Sequence, residues 1–324
     1  MTARALVMLL TVPLAFAQTA PKNWTPPRTA FGQPDLQGVW TNVTITPLER
    51  PVELGTKQFF TPEEAAKYER ETNQRNNADN RESNPVADVN HAYNQFWWDR
   101  GTKVASGLRT SLIIDPANGR IPPLLPEAQK RMEEETSYAR AHSTDGPENR
   151  ALTERCLLWP TAGPPMLPSF YNNDYQIVQT SNAVAIVVEM IHDVRIIPLD
   201  GRPHLPGNIR QWLGDSRGHW EGNTLVVDTT NFTNKTRFHG ADENLHLTER
   251  FTRVSPEMVL YEFTVDDPTV FTRPWSAQVP MTKTKGPVFE YACHEGNYAM
   301  VDMLAGARKA EQKALGSRGP ADPK

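Results

Sequence analysis

The feature that most constrains this chain lies between residues 175 and 291, where short apolar runs alternate with turn residues at near-regular spacing. Residues 175–180 are followed by the turn pair Ser181-Asn182 and then by 183–190, a run rich in Val and Ile. Both runs are too short for an ordinary helix and read as strands. Residues 194–199 make a third strand, closed by the tight-turn pair Asp200-Gly201. Pro203 and Pro206 follow; a residue without an N–H cannot donate to a ladder, so the next segment reads as loop. Three hairpins come after it: 216–220 with 224–231, 245–254 with 258–265, and 271–282 with 288–293, turning at Glu221-Gly222-Asn223, Ser255-Pro256-Glu257 and Lys285-Gly286-Pro287. Roughly eight to ten strands arranged this way predict a mainly β fold, an antiparallel meander forming a barrel or strongly curved sheet.

Two or three peripheral helices decorate this expected barrel. Thr61-Pro62-Glu63-Glu64 is a helix start, with Thr61 as cap, Pro62 in the first turn and Glu64 completing a capping box, and the helix runs to about Asn73. Residues 74–90 read as polar loop and 111–115 as a short strand. Pro126–Ala141 reads as a second helix, and 298–315 as a third with basic residues toward its end. The aromatic run Phe96-Trp97-Trp98 either packs on the outside of the barrel or lines its mouth. The expected organisation is a single β-rich domain over 35–315, preceded by an extended Pro-rich segment at 18–34 and followed by a frayed tail at 316–324.

Residues 1–17 have the layout of a signal peptide: Arg4, an apolar run from Ala5 to Phe16, and a small-residue cleavage site at Ala15-Phe16-Ala17. The apolar run is too short to span a bilayer comfortably, and no other stretch could cross one. The expected location is therefore periplasmic or secreted. A net charge of −4 gives no strong pull toward nucleic acid or anionic lipid. The only two cysteines, Cys156 and Cys293, are expected to form a disulfide in an oxidising compartment. No CxxC is present, which argues against a redox role.

Pro34-Asp35-Leu36-Gln37-Gly38-Val39-Trp40 opens the fold. A Gly-x-Trp at the start of a first strand, ahead of an antiparallel meander, resembles the lipocalin/calycin barrels, in which the Trp plugs the closed end. The sequence identifies no basic partner for this Trp, and some 130 residues intervene before the meander, more than in those barrels. Four longer phrases are similar to a large family of exported bacterial proteins, over nearly the full mature length. They are the runs 115–123 (DPANGRIPP), 195–204 (RIIPLDGRPH), 218–229 (GHWEGNTLVVDT) and 290–298 (EYACHEGNY). That resemblance implies export and a shared fold and carries over no catalytic residues.

The chemistry-bearing residues gather on the meander. On a strand over 189–197, Met190, His192, Val194 and Ile196 share one face, and Glu189, Ile191, Asp193 and Arg195 the other. His192 is then either a core histidine held by a backbone group or a general acid or base lining a cavity. Arg195 either pairs with Glu189 or Asp193 or binds charge on a substrate. Asp215, Arg217, His219 and Glu221 alternate along the next strand and point one way. They form either a solvated charged row or a site in which Asp215 orients His219 and Arg217 holds an anionic group, with Trp212 and Glu221 completing the binding set. Gly214 and Gly218 would let the backbone approach a ligand closely. Asp228 with Glu249 or Glu290 is a possible carboxylate pair across strands.

Several chemistries are disfavoured. His204, His219, His239, His246 and His294 show no HExxH spacing, so no metal is assigned, although strands can assemble ligands from distant positions. Asp266-Asp267 and Asp242-Glu243 read as turn residues rather than calcium ligands. Neither a Gly-x-Ser-x-Gly elbow nor a phosphate or dinucleotide loop is present. The leading expectation is an exported cofactor-independent enzyme acting by acid–base chemistry on a small partly apolar or aromatic molecule, as a hydrolase, lyase or isomerase. Its proton transfer would run through His192 or His219, with Asp215 or Asp228 orienting and Arg195 or Arg217 binding charge. The alternative is a periplasmic small-molecule-binding protein of lipocalin-like fold without catalysis, and the third reading is an envelope-associated structural module. In the first two the partner is a small molecule; none involves nucleic acid, or an integral membrane segment once the signal is cleaved.

Overall fold

A computed structural model describes residues 24–80 and 94–317. The expected signal peptide at 1–17, the later part of the polar loop at 74–90 and the tail beyond 317 lie outside the described residues.

The alternating runs are paired as strands. They are β1 (Gly38–Thr41), β2 (Ile113–Asp115), β3 (Asp174–Gln179), β4 (Ala183–Val188), β5 (Val194–Pro198), β6 (Asp215–Glu221), β7 (Thr224–Thr230), β8 (His246–Ser255), β9 (Met258–Asp266) and β10 (Trp275–Lys283). Nine follow one antiparallel path, β5-β4-β3-β1-β10-β9-β8-β7-β6, and β2 adds to β10 beside it. The first strand of the chain joins the two halves of the meander: Trp40 on β1 faces Tyr175 on β3 and Lys283 on β10. Burial alternates along the strands, so Tyr175, Ile177, Val184, Ile186, Phe251, Tyr261 and Val279 fill the interior. Among the described residues, these side chains pack the lumen.

The sheet is nearly closed into a barrel at β5 and β6, which lack ladder pairing but meet through side chains. Gly218 on β6 makes the approach possible. A Cβ there would lie 2.7 Å from Leu199 Cδ2 and 2.8 Å from Ile197 Cγ2, closer than carbon atoms pack. Gly214 serves a turn instead: its φ is +70°, and a Cβ would meet the Thr230 carbonyl at 2.7 Å. Both glycines are therefore committed to the fold, and the space beside them is filled by protein rather than by a ligand.

Trp40 plugs one end of the barrel. It is fully buried, its Nε1–H donates to the Leu36 carbonyl at 2.9 Å, and the Arg253 guanidinium stacks over its ring at 5.3 Å. Arg253 is held there by donating to the carbonyls of Asp35 and Pro256. It is the basic partner that sequence spacing did not locate, because it comes from β8, more than two hundred residues away. The register places Asp174, Glu189, Val194, Asp215, His246 and Trp275 at the opposite end, the mouth.

Among the described residues three α-helices flank the barrel: α1 (Pro62–Asn76), α2 (Pro126–Ala141) and α3 (Ala299–Ser317). The capping box forms as expected, with Glu64 N donating to Thr61 Oγ1 and Thr61 N donating to Glu64 Oε2. Three expectations are corrected. Residues 288–293 form no strand, because β10 is already paired by β9 on one side and by β1 and β2 on the other. Residues 189–197 are not one strand: Met190–His192 is a single turn in which Ile191 and His192 take positive φ, 64° and 50°. Residues 24–34 do not run extended but fold back, with Arg28 bridged to Pro34 around a turn at Gly32. Cys156 and Cys293 are bonded, their Cα atoms 5.7 Å apart, and fasten the 284–298 segment across the mouth. Among the described residues no helix is long and apolar enough to cross a membrane.

Candidate functional site

The inward face carries a buried polar cluster midway along β5, β8 and β9. Arg195 is buried and makes a two-pronged contact with Glu249, Nη1 to Oε1 at 3.0 Å and Nη2 to Oε2 at 2.5 Å. The Tyr261 hydroxyl donates to Glu249 Oε1 at 2.8 Å and accepts from Met166 N at 3.0 Å. Burial alone would lower the Arg195 pKa, but the charge and hydrogen bonds of Glu249 more than offset this and raise it. Burial, then the neighbouring Glu249 charge, pushes the Tyr261 phenol well up. Arg195 therefore pairs with Glu249, not with Glu189 or Asp193, and has no charge left over for a substrate. Glu249 cannot act with Asp228 either, since the two project from opposite faces of the sheet; Glu290 is exposed on the segment after β10.

The outward row on β6 also resolves differently from expectation. Asp215 and His219 do point the same way, but four residues separate them, about 13 Å at the usual strand rise. Asp215 instead accepts from His204 Nδ1 at 3.0 Å and Leu205 N at 2.8 Å, both on the loop that folds over it. His204 Nε2 reaches Asp228 Oδ1 at 2.8 Å, and Asp228 Oδ2 meets His246 Nε2 at 2.5 Å. Arg217 is consumed by Asp215 at 2.9 Å and by the Pro203 carbonyl at 3.1 Å, so it holds no anion. His219 and Glu221 pair at 3.2 Å on the exposed far end, where Arg250 also binds Glu221. Trp212 is partly exposed, its carbonyl accepting from Thr236 Oγ1. His192 is exposed, and its Nδ1–H donates to the Tyr291 carbonyl at 2.9 Å.

The Asp215–His204–Asp228–His246 chain clamps the 199–214 loop onto the outer wall. Hydrogen bonding to Asp228 raises the His246 pKa, and hydrogen bonding to His246, then His204, lowers that of Asp228. The raised histidine contributes stability that is complete below its ordinary value and lost as pH rises through its folded value. The lowered carboxylate contributes above its ordinary value and loses that contribution as pH falls. The clamp is thus strongest between the two ordinary values, 3.8 and 6.5. His246→Gln should lower the unfolding free energy, read from urea titrations, most in that window and less above it, by under about 1 kcal/mol because both groups are over a third exposed. A difference between variant and wild type that does not change with pH would refute this assignment.

The site that could receive a small molecule is elsewhere at the mouth. A cleft of about 590 Å³ is lined by the aromatic side chains Phe96, Trp97, Trp98, Tyr171 and Phe289, with Asp99, Asn172, Asp174 and Glu189 among them. Phe96, Trp97 and Phe289 are 83%, 62% and 65% exposed. The aromatic run at 96–98 thus lines the mouth, the second of the two alternatives open in the sequence. Asp174 opens β3 and Glu189 follows β4, side by side because the two strands pair with Tyr175 opposite Val188. Glu189 is fixed by two backbone donors, Phe289 N on Oε1 at 2.8 Å and Asp174 N on Oε2 at 3.2 Å. Buried Asn173 fastens Asp99, donating to its carbonyl at 2.5 Å and accepting from Ser169 N at 2.7 Å.

Burial, then the Glu189 charge with a smaller push from Asp99, raises the Asp174 carboxyl to about 6. Burial and Glu189 raise Asp99 as well, against a hydrogen bond from Asn173 that lowers it. An acid that titrates near neutrality can both give and take a proton there. A second cleft, of about 800 Å³, runs along 44–48 and 159–170 and ends at His239, whose pKa burial lowers. It lacks a set of converging acids. Sequence reading did not assign Asp99, Asp174 or Glu189 to a site. The available signal was their position, one acid directly after the aromatic run and two at the tips of paired apolar strands. Among the described residues no group of three or more His, Cys, Asp or Glu is arranged to hold a metal. No protein-family model matches the chain, and no curated protein is similar to it in sequence.

Proposed function

We propose that this protein is an exported enzyme of the periplasm or the medium that receives a small, partly apolar or aromatic molecule in the cleft at its barrel mouth. Asp174 exchanges a proton with the ligand there. The observation that carries this reading is the juxtaposition in one cleft of exposed aromatic faces with an acid poised near pH 6. Three large aromatic side chains left open to water form a surface that a ligand would cover. The disulfide and the apolar N-terminal sequence support export. Acting as a base, Asp174 is competent only when ionised, so turnover should rise as pH passes through about 6. Asp174→Asn should lower turnover by about 10²-fold or more and abolish that inflection.

The test begins with native mass spectrometry of protein taken from its own host, to identify the bound molecule. Its affinity is then followed by tryptophan fluorescence, and its conversion by NMR across pH. Binding without conversion, equally tight in Asp174→Asn, would leave the alternative of a binding protein without catalysis. Binding unchanged in the Trp97→Ala/Phe289→Ala variant would place the ligand in another part of the molecule.

A further inference from the structure

We propose that the molecule taken up by the mouth cleft is a small organic cation, an amine or quaternary ammonium group on an apolar or aromatic body; this rests on the reading of the cleft as a binding site. Three carboxylates face the cleft, and none of the described residues lining it is basic. Glu189 holds its charge in place through two backbone N–H groups, so the negative potential is built into the barrel rim and does not depend on a mobile side chain. Burial first, and then the Glu189 charge, raises Asp174 and Asp99, and a cation between the three carboxylates would offset the repulsive part of that cost.

The aromatic walls suit the same ligand. The face of an indole or phenyl ring carries negative quadrupole potential and attracts a cation within about 6 Å of its centroid. Trp98 already does this within the chain: the Arg100 guanidinium carbon lies 4.0 Å from its ring centroid, and Arg100 is not one of the residues lining the cleft. Phe96, Trp97 and Phe289 are exposed, and although Phe96 and Trp97 meet edge to face, ring surface stays open to an incoming group. An anionic ligand would meet three carboxylates. A neutral one would cover the rings and leave the acids uncompensated. A cation with an apolar body satisfies both.

The test compares phenyltrimethylammonium with tert-butylbenzene, which has the same shape and no charge. Binding to the full protein is followed by tryptophan fluorescence at low ionic strength above pH 7. The expected result is at least tenfold tighter binding of the cation, with that preference falling severalfold in Asp99→Asn and in Asp174→Asn. Asp99→Asn is nearly isosteric and lies outside the barrel core, so it removes the charge while keeping the side-chain shape. Equal affinity for the two probes would overturn the cation inference and leave the cleft as a site for apolar ligands. Failure of both probes to bind folded wild-type protein would overturn the reading of the cleft as well. A preference unchanged in both variants would show that the cation binds outside this cleft and would overturn the inference too.

Discussion

Glu249→Ala should lower the unfolding free energy by about 3–5 kcal/mol, read as a shift of the urea midpoint with circular dichroism. The variant leaves the Arg195 guanidinium inside the barrel with only Ser216 Oγ at 3.4 Å, and leaves the Tyr261 hydroxyl without its acceptor. Neither group can reach water, since both are buried in the lumen. The cost is that of an uncompensated buried charge rather than the net strength of the pair, so the double replacement Arg195→Met/Glu249→Leu should recover most of the loss. Glu249→Gln should fall between, because a neutral amide still accepts one hydrogen bond but does not balance the charge. A Glu249→Ala midpoint within error of wild type would show that the barrel interior admits water at this pair. The effect should also reach the closure of the barrel, since Arg195 on β5 touches Ser216 on β6 across the one junction that has no ladder.

How much of this could be read from the sequence follows from the range of the forces involved. Strand alternation and turn chemistry are local, so β3 to β9 lie within a residue or two of where the apolar runs put them, and Pro126–Ala141 matches to the residue. The capping box at Thr61 and Glu64 is local too. Pairing across the sheet is not local. The 288–293 segment has strand-like alternation, but its would-be neighbour β10 was already occupied on both edges, and nothing within the segment records that. The break at Ile191 and His192 was hidden because both residues adopt a left-handed conformation that their side chains do not advertise.

The candidate site divides in the same way. Asp215 and Asp228 do share a network, yet the residue that unites them is His204, which the prolines around it place on a loop folded back over β6. Alternation along one strand suggested His219 as the partner for Asp215, but the strand holds the two apart. The cleft draws on residues 96–99, 171–174, 189 and 289, four separate stretches brought together at the barrel rim. Its acids carry no spacing motif, and it is burial at the rim, together with the proximity of Glu189, that shifts Asp174 toward neutrality. Spacing within one stretch cannot report such an arrangement.

The Cys156→Ser/Cys293→Ser variant should lose up to about 5 kcal/mol, because the bridge spans 137 positions and constrains a long loop in the unfolded chain. Two observations separate that cause from damage to the native state. Relief of the cross-link lets the unfolded chain expand and expose more surface, so the slope of unfolding free energy against urea should steepen along with the drop in midpoint. A native-state defect would move the midpoint with the slope unchanged. The native consequence is local and concerns function. The bridge fastens the segment that carries Phe289, whose N–H holds Glu189 and whose ring forms one wall of the mouth cleft. Ligand affinity should therefore fall several-fold in the variant at urea concentrations far below unfolding. Retention of full affinity would mean that the contact between Phe289 and Glu189 positions this wall without the bridge. An unchanged midpoint would mean that the pair contributes no net stability to the folded barrel.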